Sequence, residues 1–213
     1  MVPARRYAVP PAPRDPSAAR FRGGRTIAAP PQIVDALAVE GYAPWLSSAA
    51  IEPLQVAWSE ERRAVLEQVF NEVRARFVWI PDGPIDKWRR LARRLRGMGR
   101  SFVKFYAGDC DDFALEILYR LVNHPSGLFP RGCLRLAACK VRGQDHLVLT
   151  IETDCGSLVL CNLAGMKWKS ARALIGYAWL CRERLTAEAE SEAWEELEPP
   201  TLEDLARRHS AGA

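Results

Sequence analysis

Apolar residues recur at helical spacing in two stretches of the chain. Residues 59–77 place Val65, Val69 and Val73 about one turn apart, and residues 111–122 carry the clearest apolar stripe of the sequence. Such spacing is typical of a helix that packs one face against a core. The sequence therefore predicts two amphipathic helices here.

Weaker helical patterns cover residues 87–100 and 169–183. The first stretch carries seven basic residues and no acid, with Trp88, Leu91 and Leu95 on one face. It predicts an amphipathic helix whose basic side is solvated. A site for anionic ligands is the alternative, but basic helices are too common to favour it.

Three short apolar runs follow the second helix, at residues 133–141, 145–153 and 157–163. Their length and their flanking turn residues predict strands. The Asp-Cys-Gly sequence at 154–156 suits a hairpin between the last two. Helices followed by a meander of strands predict a domain of the α+β class.

Both ends of the chain have a biased composition. Residues 1–32 hold seven prolines and six arginines against one acid, and residues 186–213 hold eight acids against two arginines. Segments of this kind bury too little apolar surface to offset the entropy lost on ordering. We therefore expect a disordered basic tail at 1–32, a domain at 33–185 and a partly helical acidic tail at 186–213.

The overall composition excludes several classes of protein. Of 213 residues, 48% are hydrophobic and 26% are charged, unlike a collagen-like, coiled-coil or wholly disordered chain. A net charge of +4 is too small to imply nucleic-acid binding. No apolar run approaches the about 18 residues of a membrane-spanning helix. Six sparse cysteines favour reduced thiols.

The motif most informative about chemistry is Gly-Asp-Cys-Asp-Asp-Phe-Ala at residues 108–114. It places Cys110 in the first turn of a helix, with Asp109 as the N-cap. The helix macrodipole favours a thiolate there by about 0.3–1 kcal/mol, and the free amides of the turn suit an oxyanion. Asp111 and Asp112 act against the thiolate, because nearby negative charge raises a thiol pKa. An imidazolium or a metal ion is therefore expected nearby.

His146 is the candidate imidazole. It begins an apolar predicted strand, whereas His124 lies in a predicted helix-exit loop and His209 lies in the acidic tail. A cysteine at a helix N-terminus with a histidine on a facing strand is the arrangement that a thiol nucleophile needs. The residues alone leave a packing role open, since many buried cysteines and single histidines only pack.

Three motifs together resemble one family. They are the motif at 108–114, His-Leu-Val-Leu at 146–149 and Leu-Cys-Asn at 160–162. Over about residues 60–170 the chain is similar to the bacterial transglutaminase-like cysteine proteinases, whose pattern reads roughly G-D-C-[ED]-D-[YF]-A, then H-x-V-L, then L-D-N. The resemblance implies a papain-like, transglutaminase-like core of the α+β class, with the nucleophile helix packed on a small antiparallel sheet.

The resemblance also implies roles for two residues. Cys110 would be the nucleophile of a thiol hydrolase that cleaves peptide or amide bonds through an acyl-enzyme, and His146 its general base. The partner is then a protein or peptide substrate, no cofactor is required, and acyl transfer to an amine would use the same residues. Because no secretory signal follows Arg5 and Arg6, unlike in the family's periplasmic members, we expect a cytoplasmic protein of bacterial or phage origin.

Asp109 and Asp111 match positions that bind calcium in some relatives. Carboxylate oxygens are the hard ligands that this ion prefers. The ion would also offset the negative charge around the cysteine. Helix capping is the other interpretation of these two acids.

The third member of the implied site departs from the family pattern. Cys161 stands where the family has the aspartate that orients the imidazole, and a neutral thiol is a poor acceptor for the His146 N–H. Asn162 is one substitute, although strand alternation points it to the other face. Asp145 or Asp154 is another. Without an orienting group, the chain would be a weakened or inactive member that serves as a binding or scaffold module.

Overall fold

The computed structural model describes residues 23–28, 51–82, 92–98, 101–163, 168–174, 176–185 and 193–197. Two α-helices of the described part are α1 (Glu60–Arg74) and α2 (Cys110–Val122). The described strands are β1 (Gly23–Ala28), β2 (Phe77–Trp79), β3 (Ala92–Met98), β4 (Ser101–Gly108), β5 (Leu134–Val141), β6 (Gln144–Thr153), β7 (Gly156–Leu160), β8 (Lys169–Ser170), β9 (Tyr177–Glu183) and β10 (Ala193–Leu197). Neither of these helices is long and apolar enough to cross a membrane.

The described strands form two sheets. The larger has the order β1-β10-β9-β5-β6-β7-β8, and every neighbouring pair in it is antiparallel. The smaller has the order β2-β4-β3, with β2 parallel to β4. Both helices belong to the same unit as the antiparallel sheet, so the predicted α+β class is confirmed.

The main core lies between the helices and one face of the larger sheet. Phe70 of α1 meets Phe113 of α2 edge to face at 5.7 Å between ring centroids, and α2 packs on β6 through Leu147 and Leu149. These are the apolar faces that the helical and strand patterns predicted. The predicted helices at 59–77 and 111–122 and the three predicted strands are confirmed within a few residues at their ends.

The hairpin between β6 and β7 also follows the sequence. Its turn lies at residues 154–155, and Thr153 pairs with Gly156 at its base. Gly156 has φ of 105°, a conformation that L side chains rarely adopt. The glycine therefore fixes this turn and, with it, the register that sets β7 beside β6.

The prediction of a helix at 87–100 is wrong over its described part. Residues 92–98 form β3, which pairs with β4 from Ala92 with Ala107 to Met98 with Ser101. The run from Phe102 to Tyr106 in β4 is rich in aromatic residues. A strand of this composition needs a partner for its backbone amides and carbonyls, and that requirement overrides a weak helical pattern in the neighbouring segment. Residues 83–91 lie outside the described residues.

The prediction of a helix at 169–183 is wrong as well. The described residues form β8, a short 3₁₀ turn at 171–173 and β9. In β9, Tyr177 and Trp179 alternate with smaller residues, which suits a strand. The strand also covers the free edge of β5, pairing Val141 with Tyr177.

Parts of both predicted tails belong to the larger sheet. Residues 23–28 and 193–197 pair with each other as β1 and β10, and β10 pairs with β9. Trp194 is only 3% exposed and packs into the core. Glu195 forms ion pairs with Arg135 and Arg182, so this acid belongs to a partly buried ion-pair network. Other tail residues lie outside the described part, and the domain boundaries stay a prediction.

Candidate active site

The sharp junction between β4 and α2 positions Cys110. The strand ends at Gly108, Asp109 has the backbone angles φ −113° and ψ −147°, and the helix begins at Cys110. The first helical hydrogen bond runs from the Phe113 N–H to the Asp109 carbonyl at 3.2 Å. The amides of residues 110–112 therefore precede the helical ladder and face outward from its positive end.

The Asp109 side chain does not cap the helix, contrary to the prediction. It makes no capping hydrogen bond to the first turn. Its Oδ2 instead accepts the Asp82 N–H at 3.4 Å, and its Oδ1 is buried without a hydrogen-bond partner among the described residues. Asp109 thus links the segment after β2 to the start of α2.

The Cys110 side chain is partly buried and packs against the edge of the main core. Burial, assisted by the charges of Asp111 and Asp109, raises the pKa of this thiol to about 12. The backbone N–H groups of Leu147 and Asp111 oppose the shift. At neutral pH the Cys110 side chain is therefore a neutral thiol, placed against the backbone of β6.

His146 lies near the start of β6, and one nitrogen of its imidazole ring contacts a sulfur atom. Its Nε2 is 3.0 Å from the Cys161 Sγ. Alternation along the strands places His146 with Val148, and Cys161 with Val159, on the same face of the sheet. Burial lowers the pKa of His146 to about 4, partly opposed by the charge of Asp109, so the imidazole is neutral at neutral pH.

The structure brings Cys110 and His146 to neighbouring positions without a direct hydrogen bond. The sulfur faces the amide of Leu147, the residue after His146. The Cys110 Sγ also lies 4.0 Å from Asp111 Oδ1, and the described hydrogen bonds include none between Cys110 and His146. With Nε2 on Cys161, the other ring nitrogen, Nδ1, is the one that can serve a nucleophile.

The other candidates for orienting the imidazole do not reach it. The Asn162 Oδ1 is buried without a hydrogen-bond partner among the described residues. Asp145 is exposed and pairs with Lys140, and Asp154 accepts the Trp58 N–H at 2.8 Å. The predicted substitution by Asn162 or these aspartates is therefore not seen, and Cys161 itself occupies the position beside the ring.

Carboxylates cluster beside Cys110. The ligand atoms of Asp109, Cys110 and Asp111 lie within 4.8 Å of one another. Asp111 and Asp112 are both buried, and the Asp109 Oδ1 has no donor among the described residues. A buried carboxylate oxygen without a donor is costly unless a cation neutralises it. The Asp109 oxygen, together with the neighbouring carboxylate of Asp111, fits a hard cation such as calcium, whereas a sulfur ligand would not add to its binding.

Sequence reasoning missed Tyr177 as a residue of this site. Its hydroxyl oxygen lies 3.4 Å from the Cys161 Sγ, and its ring meets that of His146 edge to face at 6.4 Å. Tyr177 was not identified as a site residue because its segment was predicted as a helix. The alternation of aromatic residues in Tyr-Ala-Trp at 177–179 is the signal that favours a strand.

A cysteine at a helix N-terminus, with an imidazole on a nearby strand held by a third side chain, is an arrangement found in papain-like thiol enzymes. Residues 100–201 match the family model described as bacterial transglutaminase-like cysteine proteinase BTLCP. This match, over slightly less than half of the chain, confirms the resemblance to that family. No curated protein matched the chain.

Two solved structures show partial similarity to the chain. Legionella pneumophila LapG is 18% identical, with a TM-score of 0.43, over 70% of this chain and 75% of that one. Legionella pneumophila LapG treated with EGTA is 21% identical, with a TM-score of 0.42, over 57% of this chain and 63% of that one.

Proposed function

We propose that the protein is a cysteine peptidase that cleaves peptide or amide bonds through an acyl-enzyme on Cys110, with His146 as the general base. The observation that carries the proposal is the His146 Nε2 at 3.0 Å from Cys161, because Cys161 stands where the family has its orienting acid. This contact points Nδ1 away from Cys161, and the neighbouring amide of Leu147 faces the Cys110 sulfur.

The first half of the reaction follows from the two protonation states. Both groups are neutral near pH 7, since the thiol pKa is about 12 and the imidazole pKa about 4. As the Cys110 sulfur attacks the carbonyl carbon, Nδ1 of His146 takes the thiol proton. The carbonyl oxygen becomes an oxyanion, and the amides of residues 110–112 stabilise it.

The second half releases both products and restores the site. The protonated His146 gives its proton to the amine nitrogen, the C–N bond breaks, and a thioester remains on Cys110. Water then attacks the thioester while Nδ1 takes a proton from it. The C–S bond breaks, the proton returns to the sulfur, and a carboxylic acid leaves.

The site predicts an unusual acid limb in the pH profile of kcat/KM. The base must be neutral, and burial lowers the pKa of His146 to about 4. We therefore expect kcat/KM to hold as the pH falls through about 6.5, the ordinary histidine pKa, and to decline only near pH 4. Circular dichroism at each pH checks that the protein stays folded. An acid limb near pH 6.5 in folded protein would contradict this account.

Asp109 and Asp111 would hold calcium, whose positive charge would offset their effect on the thiol. Calcium at about 100 times its Kd should then stabilise the protein by about 2.7 kcal/mol, seen as a higher Tm that EGTA reverses. In Asp111→Asn we expect the shift to disappear. The matched control, Asp145→Asn, removes an aspartate whose side chain is 79% exposed and should keep the full shift. An equal shift in Asp111→Asn would place the ion elsewhere.

A digest of a peptide library tests the proposed function. The wild-type protein should produce new peptide termini that mass spectrometry identifies, and Cys110→Ala should produce none. Equal digests from the two proteins would contradict the role of Cys110.

The second candidate is a binding or scaffold module of the same fold. The absence of a hydrogen bond between Cys110 and His146 among the described contacts favours it, as does the thiol at the position of the orienting acid. Such a module would retain library peptides without producing new termini, and it would do so equally well as wild type and as Cys110→Ala. The digest therefore separates the two candidates.

A further inference from the structure

We propose that Tyr177 is a positioning residue of the site. It accepts the proton of the Cys161 thiol, so that the Cys161 sulfur is left to accept the Nε2–H of His146. The proposal rests on the proposed function, since its consequence is an unprotonated Nδ1 that can serve Cys110.

The Cys161 sulfur has four polar neighbours among the described residues. They are the His146 Nε2 at 3.0 Å, the Tyr177 Oη at 3.4 Å, the Leu163 N–H at 3.4 Å and the backbone N–H of Asn162. The two backbone groups only donate. The thiol proton therefore has two described acceptors, the ring nitrogen of His146 and the hydroxyl oxygen of Tyr177.

The choice between these acceptors decides the tautomer of His146. A neutral imidazole carries one proton. If Cys161 donates to Nε2, the proton must sit on Nδ1, which then cannot accept the Cys110 proton. If Cys161 donates to Tyr177, its sulfur accepts the Nε2–H and Nδ1 keeps a free lone pair. Only the second arrangement gives a general base, and it exists because a hydroxyl oxygen lies beside the sulfur.

The fold holds Tyr177 in the required place. Its ring stacks on Trp179 at 5.5 Å and meets the His146 ring edge to face. Pairing of β9 with β5, and of β5 with β6, fixes the strand that carries it relative to His146. Burial raises the pKa of both Cys161 and Tyr177, so both keep their protons near neutral pH, as a neutral hydrogen-bond chain requires.

The ring tautomer can be measured directly in the full chain. The protein has three histidines, so ¹⁵N-histidine labelling gives few ring signals, and His146→Gln identifies those of residue 146. Wild type should show the proton of His146 on Nε2. Tyr177→Phe should move it to Nδ1, because the phenyl ring cannot accept the thiol proton. Tyr119→Phe, which removes a hydroxyl on α2, should leave it unchanged. An unchanged tautomer in folded Tyr177→Phe would overturn the proposal.

Kinetics give a second measurement, which a purely structural role of Tyr177 would not change. Tyr177→Phe should lower kcat by at least about tenfold, since a wrong tautomer costs about 10⁴-fold in a serine protease. In a Cys161→Asp background the same change should cost less than about threefold, because a carboxylate accepts the Nε2–H without a proton of its own. An equal loss in both backgrounds would overturn the proposal. The tautomer measurement needs no turnover. An inactive wild type would therefore contradict the proposed function, and the tautomer result would still decide whether Tyr177 is a positioning residue.

Discussion

Cys110→Ala is expected to abolish peptide hydrolysis, with kcat falling on the order of 10⁶-fold, the loss seen when a protease nucleophile is removed. The amides of the first turn of α2 and His146 remain, but no atom is left to form the acyl-enzyme. The measurement is the rate of cleavage of a peptide identified in the digest. Substrate binding should persist, because the change removes only a sulfur atom.

Cys155→Ala is the matched control for this loss. Cys155 is a partly exposed free cysteine in the turn between β6 and β7, so its replacement should leave kcat within about twofold and should not change the fold. If Cys110→Ala retained a substantial share of wild-type turnover while Cys155→Ala did not, a different sulfur would be the nucleophile.

Cys161→Asp is expected to raise kcat by about 10²-fold or more. An aspartate that orients a catalytic histidine is worth about 10⁴-fold in serine proteases, and a thiol nucleophile depends on it less. The groups that surround Cys161 suit a carboxylate, because Leu163 N–H, Asn162 N–H and the Tyr177 hydroxyl can all donate to it. The new charge should also raise the pKa of His146 and move the acid limb of the pH profile upward.

Cys161→Asn separates charge from shape in this experiment. Asparagine matches the size of aspartate but carries no charge, so it should gain much less activity and leave the acid limb in place. Thermal unfolding of both variants shows whether the fold tolerates the polar group at a position that is 1% exposed. A folded Cys161→Asp variant with lower kcat than wild type would contradict the assigned role of Cys161.

The parts of the site that the sequence predicted are local in the chain. The 108–114 motif joins a turn, a helix start and the nucleophile in seven residues, and the helix begins at Cys110. The turn at 154–156 predicted the hairpin that sets β7 beside β6, and alternation then predicted that Cys161 and Asn162 face opposite sides. Each of these inferences needs only the periodic spacing of residues along one element or the identity of a turn residue.

The parts that the sequence did not predict depend on distant partners. Residues 92–98 have a helical pattern but pair with β4, and Tyr177 belongs to a strand because β5 lies beside it. In the sequence Glu195 is one of the charges of an acidic tail, but in the structure it forms ion pairs with Arg135 and Arg182. Local propensity is a weak prior when pairing across a sheet satisfies the backbone.

Acylation of Cys110 by a p-nitrophenyl ester tests the central claim most directly, namely that His146 activates this thiol. We expect one acyl group per protein molecule, located on Cys110 by mass spectrometry. We also expect a rate that falls by at least about 10²-fold in His146→Gln, the usual contribution of a general base. An acyl group on another of the six cysteines, or equal rates in wild type and His146→Gln, would contradict it.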